Sequence, residues 1–280
     1  MLCGGVVQYE EDYSMSFKEQ VTLGRTGLKV GRLGIASGYG APAAAIEEAF
    51  ERGCNYMTWG TFMRGYSQHM REAIRNIIAR GQRDRMVLAM FSYAHQPFLT
   101  EHFLLKGLKS AGLDYADILI LGFFSRRPSK RIIDGAMRLK EKGLVRFIGL
   151  SGHNRKLFPK LLEYGVFDVF HIRYNAVHRG AETESFPLLT GDARPGVVNF
   201  TGTAWGKLMN TKKMPSGEKA PTAAECYRFV LTNPAVDVCM TGAKNIEQMR
   251  QNLAALEQGP MTDEELARMR RIGDHIYGRR

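Results

Sequence analysis

The chain is poor in the residues and patterns that would mark several large functional classes. It has 280 residues and only four cysteines, Cys3, Cys54, Cys226 and Cys239, none in a C-x-x-C pair. That spacing argues against a zinc site or a disulfide framework and suits reduced thiols in a cytoplasmic protein. No apolar run approaches about 18 residues, so no membrane-spanning helix is expected. The opening Met1-Leu2-Cys3-Gly4-Gly5 lacks the basic stretch and long apolar run of a secretory signal. There is no G-x-S-x-G elbow, P-loop or H-E-x-x-H. Basic residues are abundant but never form a block of five or six. The 39 Lys and Arg against 28 Asp and Glu give a net charge of +11, and the densest groups are pairs such as Arg126-Arg127 and Lys212-Lys213. Scattered charge of this kind reads as a solvated surface and argues against a nucleic-acid tract.

What is present is an ordinary globular composition, 44% hydrophobic and 24% charged, which excludes a disordered chain. Residues 1–18 are polar and irregular and read as a loose tail, leaving 19–280 as one domain. The stretch 21–30 reads as a short hairpin around Thr26-Gly27. Beyond it one alternation repeats. Apolar runs at 31–36, 54–59, 85–93, 116–123, 145–151, 167–174, 196–201 and 236–241 alternate with helical periods at 42–52, 67–80, 100–111, 129–142, 154–164, 181–189 and 222–231. Helices at 245–258 and 263–277 close the chain, the last opened by the capping box Thr262-x-x-Glu265. Eight strand–helix units in about 250 residues is the arithmetic of a (β/α)8 TIM barrel. Continuous apolar strands such as Ile118-Leu119-Ile120-Leu121 suit a parallel sheet covered on both faces. The rival, a doubly wound sheet, would carry a Gly-rich phosphate turn after its first strand, and Gly38-Tyr39-Gly40 has no third glycine in place. The working end of a barrel is the C-terminal end of its strands.

Six ordered anchors resemble the aldo-keto reductase family over residues 20–270. They are the segment from Leu23 to Gly34, Gly53-Cys54-Asn55-Tyr56, Leu113-Asp114-Tyr115-Ala116-Asp117, the run Gly143 to Ser151, Tyr174-Asn175, and the run Gly242 to Leu253. The resemblance implies a TIM barrel with an N-terminal hairpin and C-terminal helices, NADP(H) as cofactor and a small carbonyl compound as substrate. Independently of any family, Lys244, Gln248 and Asn252 recur every four residues and so share one stripe of a turn and helix. A helix N-terminus offers N–H groups and partial positive charge to a phosphate. Lys244 suits the 2′-phosphate of NADP, and the two amides suit an adenine edge. By position, the resemblance adds Ser151 and His171 as carboxamide partners and Phe200 as a ring under the nicotinamide. It also places Thr201 and Gly242 at the cofactor, with Thr203 and Lys207 near the pyrophosphate.

The family's chemistry needs an Asp, a Tyr proton donor, a Lys that tunes it and a His that orients the carbonyl. Here the anchors put Thr58, Met63, Phe91 and Gly122 at those positions. Met, Phe and Gly side chains donate no proton, and Thr is no carboxylate. Tyr66, three residues beyond Met63, and His153, whose ordinary pKa of about 6.5 suits acid–base work, are the replacement candidates. Two readings follow. One is an NADP(H)-dependent oxidoreductase with altered carbonyl chemistry. The other is a catalytically silent NADP(H)-binding sensor or scaffold.

Overall fold

The strands close on themselves and are covered on both faces, as suits their continuous apolar runs. The protein is represented by a computed structural model that describes residues 17–60 and 67–278. Strands β1 (Val21–Thr22) and β2 (Lys29–Val30) form an antiparallel hairpin, with Val21 opposite Val30. The barrel strands are β3 (Leu33–Ala36), β4 (Tyr56–Trp59), β5 (Val87–Ser92), β6 (Ala116–Leu121), β7 (Val145–Gly152), β8 (Val169–Arg173), β9 (Gly196–Phe200) and β10 (Val238–Thr241). They are all parallel and closed in the order β10-β3-β4-β5-β6-β7-β8-β9.

The two-residue period of a strand divides the apolar residues into two cores. Tyr56, Val87, Ala89, Ile118, Ile120, Val169, Val198, Val238 and Met240 fill the barrel, joined by Leu23, Leu28 and Val30 from the hairpin beneath. The alternate residues, such as Met57, Leu88, Leu119, Ile148, Phe170 and Val197, pack outward against the helices. The hairpin plugs the N-terminal end closely: a Cβ at Gly196 would lie 2.6 Å from the Leu23 side chain.

The helices are α1 (Ala43–Glu51), α2 (Ser67–Ala79), α3 (Pro97–Ala111), α4 (Lys130–Glu141), α5 (Leu157–Lys160), α6 (Ala181–Glu184), α7 (Ala223–Leu231), α8 (Ile246–Gln258) and α9 (Asp263–Tyr277). Thr262 and Glu265 form the expected capping box, and Thr222 with Glu225 forms a second on α7. Two helices are shorter than their periodicity suggests. Asn154 does not cap α5; its Nδ2 donates to the Ser125 carbonyl at 2.9 Å. Pro159 within α5 and Pro187 in the 3-10 turn after α6 each lack an N–H, so neither segment extends a regular ladder. Residues 1–16 of the expected tail, with Cys3, lie outside the described residues. Phe17 is buried, with the Arg32 guanidinium 5.2 Å from its ring centroid.

Part of the basic surplus has a structural use at the bottom of the barrel. Asp117, Asp168 and Asp237 stand at strand starts, and each takes a neighbouring strand's N–H: Leu88 at 2.9 Å, Ile148 at 3.2 Å and Val197 at 2.8 Å respectively. Arg83 and Arg146 pair with Asp117, Arg25 and Lys140 with Asp168, and Arg194 with Asp237. A carboxylate that fixes strand register while holding cations exploits charge-assisted hydrogen bonds.

Candidate functional site: the C-terminal mouth

The same alternation that fills the barrel aims Thr58, Phe91, Gly122, Ser151, Arg173, Phe200 and Gly242 inward at the C-terminal ends of the strands. The expected tetrad positions Thr58, Phe91 and Gly122 therefore gather at one mouth. Met63 and Tyr66 lie outside the described residues. Thr58 is buried, and its carbonyl accepts the Ser37 N–H at 3.2 Å. The Phe91 ring meets His171 edge-on at 5.3 Å between centroids and Tyr93 at 5.6 Å.

Gly122 is explained by what lies on it. A Cβ there would fall on the Tyr93 ring, so the aromatic ring two residues beyond Phe91 occupies the space of a side chain at 122. Tyr93 in turn stacks on Phe123, with centroids 4.6 Å apart. Burial, with a smaller contribution from Tyr39, pushes its hydroxyl up to about 12. The phenol is therefore protonated at neutral pH. Nothing in the local sequence separates Tyr93 from any loop tyrosine; only the glycine opposite it was a clue.

His171 sits one layer below the mouth. It is 1% exposed, its Nε2 lies 2.7 Å from the Tyr56 hydroxyl, and burial lowers its pKa to about 3. It is thus a neutral ring bonded inside the barrel. Ser151 is buried at the mouth, while His153 is exposed and stands between two rings, Phe123 at 6.0 Å and Phe200 at 5.4 Å. Burial, and then Arg173, lower the His153 pKa.

The β9 and β10 loops are neighbours because their strands pair. After β9 the backbone is left-handed at Thr201 (φ 61°), Ala204 (51°), Trp205 (55°) and Gly206 (79°). Three non-glycine residues in that region within five positions constitute local strain of the sort that collects at functional sites. Thr201 Oγ1 donates to the Phe200 carbonyl at 2.6 Å. After β10, the Tyr39 ring covers Gly242, where a Cβ would lie 2.7 Å from it. Asn245 caps α8 by accepting the Gln248 N–H at 2.9 Å, and Gln248 Oε1 accepts the Lys244 N–H at 3.0 Å. Lys244 and Gln248 are exposed, whereas Asn252 is 4% exposed. The stripe therefore runs from solvent into the helix packing.

A parallel eight-stranded barrel with a bottom hairpin, and with its distinctive side chains and strained loops at the C-terminal mouth, is a TIM barrel. A model of the aldo/keto reductase family matches residues 207–274. An uncharacterized oxidoreductase of Bacillus subtilis (strain 168), YqkF, is 24% identical over 259 residues, covering 79% of this chain and 84% of that protein. Among solved structures, the holo form of aldo-keto reductase AKR11C1 from Bacillus halodurans superposes with a TM-score of 0.75 and its apo form with 0.72. Each is 20% identical and covers 91% of this chain and 96% of that one. These likenesses are to the aldo-keto reductases, in sequence over residues 207–274 and in fold over 91% of the chain.

Proposed function

We propose that the protein binds NADP(H) across this mouth and acts in the cytoplasm as an oxidoreductase on a small carbonyl substrate, with a proton donor different from the family's. The observation that carries the reading is the Lys244–Gln248 turn: an exposed cation beside the capped N-terminus of a 13-residue helix. The first-turn N–H groups and the ammonium together suit a dinucleotide phosphate. The neighbouring Thr201–Gly206 loop supports the same use, because left-handed strain at non-glycine residues collects at functional sites. Phe200 offers a ring face at the mouth, and Ser151 at the end of β7 offers a hydroxyl partner. Asn252 continues the stripe for the adenine end. A bound nicotinamide supplies hydride chemistry. The chain's own contribution is to exclude water with Phe91, Phe123 and Phe200, and to present a hydrogen-bond donor to the carbonyl oxygen. The Tyr93 phenol, lying over the tetrad position at Gly122, is suited to that role, and His153 at the rim is the titratable alternative.

A second reading is favoured by one specific observation. At the positions where the family's carboxylate and lysine are expected, this chain has Thr58 and Phe91. A catalytically silent NADP(H) sensor or scaffold would look the same. Titration of the protein with NADPH, followed by its consumption against a carbonyl panel, separates them. Binding with turnover supports the oxidoreductase, binding without turnover supports the sensor, and absence of binding removes both.

A further inference from the structure

Three arginines carry a buried Nε atom without a hydrogen-bond partner among the described residues: Arg32, Arg83 and Arg173. For two of them the rest of the fork is occupied. Arg32 Nη2 donates to the Leu231 and Val236 carbonyls at 3.1 and 3.0 Å. Arg83 donates to Asp117 at 3.0 Å and to the Met86 carbonyl at 3.0 Å. Arg173 makes no side-chain hydrogen bond and no ion pair among the described residues. Arg173 is half-buried with its Nε out of reach of water, and a shielded nitrogen of this kind normally has an acceptor.

No carboxylate among the described residues pairs with Arg173. Arg155, which repels it, is itself held by Glu184 at 2.8 Å. The other carboxylates of this end are engaged: Glu182 with Arg270, and Asp274 with Arg179. Burial, and then Arg155, lower the Arg173 pKa, against a smaller favourable influence of Tyr277. Meanwhile Arg173 ends β8, faces inward, and stands in register beside Phe200 of β9. Phe200 meets His153 at 5.4 Å, and His153 stacks toward Phe123 at 6.0 Å. A fork without an anion therefore borders a set of flat rings.

We propose that Arg173 anchors the carboxylate of a small ligand whose flat apolar body lies among Phe200, His153 and Phe123. The guanidinium fork matches a carboxylate through two parallel hydrogen bonds, and the rings match an aromatic or planar body. The site does not depend on the dinucleotide reading and stands or falls separately from it.

The test uses phenylacetate and its uncharged analogue phenylacetamide as probes, measured by calorimetry on the full-length protein without nucleotide. The wild type binds phenylacetate at least tenfold more tightly than phenylacetamide. Arg173→Met removes that preference, and Arg173→Lys keeps part of it, because Lys retains the charge without the fork. Because the Arg173 side chain makes no hydrogen bond or ion pair among the described residues, both variants melt within a few degrees of the wild type. Equal affinity of the wild type for the two probes overturns the proposal, as does an unchanged preference in Arg173→Met. A third arm adds saturating NADP+. Displacement of phenylacetate by NADP+, with NADP+ affinity itself falling tenfold in Arg173→Met, makes a cofactor phosphate the anion and also overturns it. Arg173-dependent phenylacetate binding in a protein that does not bind NADPH leaves this proposal standing and removes the oxidoreductase reading.

Discussion

His171 gives the barrel interior an acid sensitivity that can be isolated. The ring is 1% exposed and bonded to the Tyr56 hydroxyl, and burial lowers its pKa from the ordinary 6.5 to about 3. In the unfolded chain it regains the ordinary value and takes up a proton that the native state refuses. The native state is therefore favoured fully above about pH 6.5, and that contribution is lost as pH falls through the interval from 6.5 toward 3. One such group changes stability by about 1.4 kcal/mol per pH unit within the interval, or roughly 5 kcal/mol across all of it. Between pH 7 and pH 5 the loss is about 2 kcal/mol, before most carboxylates titrate. The lowered Glu48 and Glu265 groups act below their ordinary 4.5. His171→Gln keeps a hydrogen-bonding group for Tyr56 but cannot titrate. Urea unfolding at pH 7 and pH 5 should show the wild type losing about 2 kcal/mol more than the variant. Equal losses in the two proteins, or an imidazole NMR titration placing His171 near 6.5, would refute the reasoning.

Three further outcomes are expected. Gly122→Ala forces the Tyr93 ring to move, and overpacking of this kind costs about 1–3 kcal/mol. The cost should shrink in the Tyr93→Ala, Gly122→Ala double variant, as a double-mutant cycle in urea will show. Asp117→Ala leaves Arg83, Arg146 and the Leu88 N–H without their acceptor, a loss of about 3–5 kcal/mol by calorimetric melting. Cys54, Cys226 and Cys239 are buried and burial pushes their thiols up, Cys54 to about 12. Mass mapping after treatment with a thiol reagent should therefore find these three unlabelled until the protein unfolds.

The barrel was legible in the sequence because each strand writes its burial directly. Ile118 to Leu121 is apolar at every position since one face meets the barrel interior and the other the helices. Short helices were less legible. The period at 154–164 and 181–189 is genuine, but Pro159, Pro187 and the Asn154–Ser125 bond interrupt the ladder. The expected tetrad positions were assigned by spacing alone, and what lies against them could not be read that way. A glycine reads as an absence, and only the fold brings Tyr93 onto Gly122. The bare fork of Arg173 was likewise invisible, because whether an arginine is paired depends on residues distant in the chain. Lys244 and Gln248 emerged together at the surface as their spacing implied, whereas Asn252 of the same stripe turned into the packing between helices.

The measurement that bears most directly on the central claim is a fluorescence titration with NADPH and NADH of the wild type and of Lys244→Ala. A charge-assisted contact to a 2′-phosphate contributes about 1.5–3 kcal/mol, so NADPH affinity should fall about 10- to 100-fold in the variant while NADH affinity changes little. Absence of saturable NADPH binding to the wild type, or an unchanged NADPH affinity in Lys244→Ala, would contradict the placement of the dinucleotide at this mouth.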